Sequence, residues 1–168
     1  MRVDSFRFLP RSFRAFFESP DQLEGETDEV WAQFQPRLGE ATIALLSSAG
    51  LSLSGSQAPF DADTERQRPA WGDPSWRAIP RDTVQGQLEM THLHVNPTDI
   101  LADHEVALPM RALDQLVSEG IVGASVETHF SVMGYQRAGL VEWRASTGPE
   151  IVARLRDEGA DGVVLAPV

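Results

Sequence analysis

The sequence contains no cysteine and no lysine, and its 14 basic residues are all arginine. Without cysteine, disulfides, CxxC redox pairs, thiolate metal sites and cysteine nucleophiles are excluded among these residues. Without lysine, so are a Schiff-base amine and the lysine of a phosphate-binding P-loop. No apolar run approaches the roughly 20 residues of a spanning helix, and the opening, with Asp4, Arg7 and Pro10, lacks the apolar core of a signal peptide. A cytoplasmic location with no membrane contact is therefore expected. Positive charge is scarce: a net charge of −11 would repel a phosphate backbone, so nucleic acid is not an expected partner. Local arginine clusters can still hold a small anion.

What is present is an ordinary globular composition, 42% hydrophobic over 168 residues, enough for one domain. We read 1–168 as a single α/β domain, with an N-terminal arm and linker over 1–40 and a core over 41–168. In the arm, Phe6, Phe8, Phe13, Phe16 and Phe17 alternate with Arg2, Arg7, Arg11 and Arg14. Pro10 can open a short helix whose phenylalanines share a face. That face is expected to cover the domain's own sheet, with packing on a partner subunit as the alternative. Residues 19–29, rich in Asp and Glu, read as a solvated linker.

In the core, Ile43, Leu45 and Leu46 mark a strand over 41–46, and the small residues Ser47, Ser48, Ala49 and Gly50 follow as a turn. Such a turn lets backbone amides approach a ligand, or is simply tight. Residues 54–89 show little helical or strand pattern and are expected to form a long loop, locally cationic through Arg66, Arg68, Arg77 and Arg81. A strand over 90–95 would put His92 and His94 on one face, because strand side chains alternate. With Asp99, Asp103 and His104 close by, the two imidazoles can ligate a metal or work as acid and base. No fixed third ligand accompanies them, so we read a hydrogen-bonded pair lining a pocket, or a polar face, and no metal site.

A short strand is expected at 105–108, a helix over 109–119 stopped by Gly120, and a strand over 121–126. Residues 127–135 mix polar and aromatic side chains in the manner of a binding loop, although His129 can equally be a satisfied buried histidine. Thr147 and Glu150 form a capping-box pattern ahead of Ile151, Val152 and Leu155, with Gly159 past the helix end. The apolar run at 162–168 then reads as a buried strand completing a βαβ crossover. The expected fold class is a largely parallel, Rossmann-like three-layer sheet with a long loop over its carboxyl edge, where such folds carry their chemistry.

Taken together, these stretches resemble the selenoprotein B family of glycine, sarcosine, betaine and D-proline reductases. The resemblance is carried by Val3-Asp4-Ser5-Phe6-Arg7-Phe8-Leu9, by the strand and turn from Ala41 to Gly50, and by Gly72-Asp73-Pro74-Ser75-Trp76-Arg77-Ala78-Ile79-Pro80. It continues through Thr91-His92-Leu93-His94, Asp99, Asp103, Pro109, the run His129 to Tyr135, and Pro149-Glu150-Ile151-Val152 with the final strand. The resemblance implies a subunit that reductively cleaves a carbon–nitrogen bond of a small amino acid or betaine. Electrons would come from a thioredoxin-like dithiol donor, and partner subunits are implied as well.

The family's redox residue is a selenocysteine or cysteine directly after the strand matching 162–168. This sequence has neither, so no cofactor and no redox residue are expected within it. Because selenocysteine is encoded by a codon usually read as stop, the expectation is that these 168 residues are a shortened product. The candidate site then comprises His92, His94 and His129 for proton transfer, and Ser47, Ser48, Gly50, Arg77, Arg81, Asp99, Asp103 and Ser131 for substrate. The alternative is a module without redox chemistry that binds a small acid or another subunit.

Overall fold

A computed structural model describes residues 32–68, 70–136 and 140–168. The aromatic arm and the acidic stretch expected within 1–40 lie almost entirely outside the described residues. Phe34–Val168 form one unit. Its elements are β1 (Thr42–Ser47), β2 (Leu51–Leu53), α1 (Ala62–Gln67), β3 (Trp76–Pro80), β4 (Leu88–Met90) and α2 (Thr98–Ala102). These are followed by α3 (Met110–Ser118), β5 (Ala124–Ser125), β6 (Thr128–Val132), α4 (Leu140–Glu142), α5 (Gly148–Asp157) and β7 (Gly162–Ala166).

Strand β1 is central. Ile43 pairs with both Ser125 and Gly162, and Leu46 with both Phe130 and Leu165, all in parallel. Each residue of β1 has only two edges, so β5 and β6 run in tandem along one side and β7 along the other. Outside β6 lies β3, antiparallel, with Ile79 opposite His129. The expected α/β class with a mostly parallel sheet is what the structure has.

Alternation along β1 builds two cores. Ile43 and Leu45 face Met110 and Leu113 of α3 together with Leu51, Leu88 and Ile100. Leu46 faces the other way, with Phe130, Val132, Trp76, Trp143 and Ile151 of α5. Three layers result, with the sheet in the middle. The antiparallel pair β2–β4 belongs to the first core.

Several expectations are corrected. The run 127–135 is mainly the buried strand β6 rather than a binding loop, every residue from Thr128 to Val132 being buried. Its polar side chains have local work. Between β5 and β6 the main-chain ladder on β1 is interrupted, and the Leu45 N–H donates instead to His129 Nδ1 at 3.2 Å. The Ser131 hydroxyl oxygen accepts from the Leu51 N–H at 2.7 Å, where the chain passes over β6. Ser131→Ala leaves that buried donor without its partner, so a loss of about 1–3 kcal/mol is expected in chemical denaturation; an unchanged midpoint would contradict this role.

The 54–89 stretch contains α1, β3 and β4 rather than a structureless loop. The strand expected at 90–95 stops at Met90, and 93–95 form a turn. At 105–108 the chain makes a 3-10 turn, His104–Val106, in place of a strand. Thr147 has helical dihedrals, φ −57° and ψ −51°, and makes no capping bond. Its hydroxyl donates to the Pro74 carbonyl instead, and a π-helical turn, Trp143–Thr147, leads into α5. Finally, β7 is not buried: Val164 is 49% and Leu165 67% exposed, because among the described residues β7 pairs with β1 alone.

Candidate functional site

The carboxyl ends of β1, β6 and β7 converge on the turn that follows β1. The Ser48 N–H donates to the Ala166 carbonyl at 3.1 Å, and the Gly134 N–H donates to the Ser48 carbonyl at 3.0 Å. The Ser48 hydroxyl oxygen accepts from the Val168 N–H at 2.9 Å, tying the chain beyond β7 to this turn. Ser47, fully buried, accepts the Ala49 N–H at 3.2 Å. Gly50 has φ +66°, and a Cβ there would lie 2.4 Å from the Thr91 carbonyl oxygen. The residues are small because three backbones meet here.

Beside this junction is a cavity of about 360 Å³ whose wall includes Leu46, Ser48, Met133, Gly134, Trp143 and Leu165. Its wall is mainly apolar. The Trp143 Nε1 donor and the Gln136 Oε1 acceptor are buried and have no hydrogen-bond partner among the described residues. A ligand entering here would meet a mainly apolar wall, as is usual in small-molecule sites. A second concavity of about 380 Å³ lies around Trp71, Asp73, Trp76, Glu142 and Glu150.

Tyr135 follows Gly134 out of the junction, and its ring lies 4.7 Å from that of His94. His94 Nε2 is 3.1 Å from Glu65 Oε1. His92, immediately after the Thr91 that packs on Gly50, accepts the His94 N–H on its Nδ1 at 3.2 Å, and the two rings are 6.0 Å apart, edge to face. The proximity expected of the two histidines is present, but a turn produces it rather than strand alternation. Burial, reinforced by the charge of His94, holds His92 below the ordinary imidazole range. Glu65 is 2% exposed, and neither oxygen receives an aligned hydrogen bond among the described residues. Burial pushes its carboxyl up, against the lowering effect of His94.

Most of the other candidates lie elsewhere. His129 and Arg81 sit toward the amino end of β6, where Arg81 Nε pairs with Asp114 of α3 at 2.8 Å. Arg77 donates to the carbonyls of Ala58, Pro59 and Trp76, and its guanidinium lies 4.2 Å from the centre of the Phe60 ring. Asp103 accepts from Arg111 at 2.8 Å and caps the turn at Glu105. Asp99 stands in the first turn of α2, and Ser131 holds the Leu51 amide as described. So Ser47, Ser48, Gly50, Ser131, His92 and His94 gather at the carboxyl edge, Ser131 lying opposite Ser47 in the sheet, and the remaining five do not.

Glu65, Gln136 and Trp143 did not emerge from the sequence. For Glu65 a helix-start signal was available: Asp61, four residues earlier, accepts the Thr64 N–H at 2.9 Å as an N-cap. Its burial had no sequence signal. Among the described residues no three His, Asp or Glu side chains cluster as metal ligands would, and no helix is long and apolar enough to cross a membrane.

No protein-family model matches the chain, and no solved structure matches it. Among curated proteins it is similar to the D-proline reductase subunit gamma of Acetoanaerobium sticklandii, 26% identical over 136 residues. The match takes in 81% of this chain and 52% of the relative, so the chain spans about half the length of the curated relative it matches. At this distance the similarity supports a relationship to reductase subunits.

Proposed function

We propose that the chain is part of an oxidoreductase subunit of the selenoprotein B type, acting on a small amino acid or betaine such as D-proline, glycine or sarcosine. In this reading the enzyme reductively cleaves a carbon–nitrogen bond with electrons from a thioredoxin-like dithiol, in the cytoplasm and together with partner subunits. The observation that carries the reading is the junction at Ser48. The chain leaving β7 is held there by the Val168 N–H on the Ser48 hydroxyl, at the mouth of an apolar cavity. A distant kinship with a D-proline reductase subunit supports the same reading.

A redox residue directly following Val168 would enter this edge. The junction is built from Ser48, Gly134 and Ala166, with room for a side chain of cysteine size, so the residues present fit such a group. A selenolate or low-pKa thiolate there would supply a nucleophile that dithiols can regenerate from its bridged form. The chain's own residues would do the rest. The apolar wall would exclude water, and His94 would handle protons.

The test begins with the codons after Val168. The expected result is an in-frame UGA or cysteine codon followed by open frame. With selenocysteine or cysteine in place, the extended protein should show dithiol oxidation dependent on D-proline, glycine, sarcosine or betaine, while the 168-residue chain shows none. An ordinary UAA stop with no downstream frame, or an extended protein inert toward all four substrates, would overturn the proposal. A second reading, a subunit-interaction module without redox chemistry, is favoured by the apolar exposure of β7. It predicts the UAA outcome.

A further inference from the structure

Most of the ionisable side chains described above have a structural partner that accounts for them. Glu65 does not. It projects from α1, a helix otherwise made of surface residues, and it alone of that helix is buried. Arg66, next to it, turns outward to Asp63 at 2.6 Å. No backbone N–H or hydroxyl reaches the Glu65 carboxyl among the described residues, so nothing there solvates its ionised form as hydrogen bonds usually do for a buried carboxylate. Among the described residues its close polar partner is the imidazole of His94, at 3.1 Å.

His94 is the opposite in character. Half its side chain is in solvent, at 52% exposure, and its ring rests on Tyr135 at the carboxyl edge. One partner is therefore sealed away and the other open, with a single nitrogen–oxygen contact between them. A structural ion pair gains most when both charges are multiply hydrogen-bonded. A proton relay needs instead a short contact and a carboxyl free to change state.

We propose that Glu65 and His94 form a proton-transfer pair serving the carboxyl edge. Glu65 acts as a positioning residue that holds or releases the proton on the buried side, and His94 exchanges it on the open side. The step is balanced within the pair: Glu65–COOH gives its proton to His94 Nε2, leaving carboxylate and imidazolium, and the imidazolium can release its Nδ1 proton outward. The charged groups facing Glu65 are His94 from the turn after β4, Arg66 on its own helix and Asp73 from the segment before β3, with His92 behind His94. Delivery of that proton to a departing amine rests on the reductase reading above. The coupling itself does not.

The experiment is a carboxyl carbon-13 NMR titration of Glu65 in the 168-residue protein, with His94→Gln as the variant. His94 is exposed enough for the fold to survive, which near-ultraviolet circular dichroism checks. The Glu65 midpoint should move upward by about one pH unit in the variant, a tenfold change in proton affinity. An unmoved midpoint would overturn the pair. Glu65→Gln, made in the extended protein, should alter the pH profile of kcat/KM, and a superimposable profile would remove its role in turnover. Coupling in an extended protein that is inert toward every substrate would support the pair and count against the reductase reading.

Discussion

Gly72→Ala is expected to lose more than about 4 kcal/mol of stability, the size reserved for a few named mechanisms. A Cβ on residue 72 would sit 1.5 Å from the Tyr135 carbonyl oxygen and 2.7 Å from its carbon, so two backbones must separate before any side chain fits. Neither can yield easily. Asp73 accepts the N–H groups of Asp61 and Ser75 at 2.9 Å each, and its carbonyl accepts from Gln136 at 2.8 Å. Gly134 supplies a contrast, since a Cβ there meets Ser48 at 3.0–3.1 Å, tight but partly against a side chain. Urea denaturation should rank Gly72→Ala well below Gly134→Ala. A loss under about 1 kcal/mol at Gly72 would mean that the close approach to Tyr135 is wrong. Because Tyr135 carries the His94 ring, the same variant should also abolish the Glu65–His94 coupling.

The second large effect is acid sensitivity through His129. Its ring is wholly buried, with Nδ1 accepting the Leu45 N–H, so the proton of the neutral form lies on Nε2, which has no partner among the described residues. Burial lowers its pKa from 6.5 to about 4, outweighing the raising influence of Asp114 and Glu158, with Arg81 adding to the lowering. The folded state thus favours neutral imidazole, and its advantage is complete above the unfolded value of 6.5 and lost as pH falls through about 4. Linkage puts the loss at about 2 kcal/mol by pH 5 and about 3 kcal/mol by pH 4. Stability measured by denaturant against pH should show this slope. His129→Gln, whose amide oxygen can still accept from Leu45, should flatten it. An equal slope in both proteins would place the acid sensitivity elsewhere.

Legibility in the sequence followed apolar patterning closely. β1, α3, α5 and β7 were found because their apolar residues are Ile, Leu, Val and Met in recognisable runs, and Gly120 and Gly159 stop the two helices at φ +70° and +69°. β6 was mistaken for a loop because its buried positions include, besides Thr128, the polar residues His129 and Ser131. Each satisfies an amide on another strand, and such a partner cannot be seen along the chain. β3 was hidden among prolines and tryptophans for a related reason. It is an outer strand, and Pro80 is tolerated at its end. β7 was expected to be buried because its composition is that of an interior strand, whereas burial depends on neighbours the run does not encode. At the site, small residues betrayed the Ser48 junction. Glu65 is the reverse case, since a carboxylate on a short helix reads as surface until its neighbours are placed.

The central position of β1 also sets an order of events. All three of the strands that pair with it lie later in the chain, and Thr42 is bonded by its own N–H to the Asp161 side chain, 119 residues away. At about 5–20 residues per second, roughly 6 to 24 seconds of synthesis separate the strand from its last partner. Through that interval the side of β1 that takes β7 leaves the ribosome without its partner strand, which makes the nascent polypeptide a natural client for a chaperone.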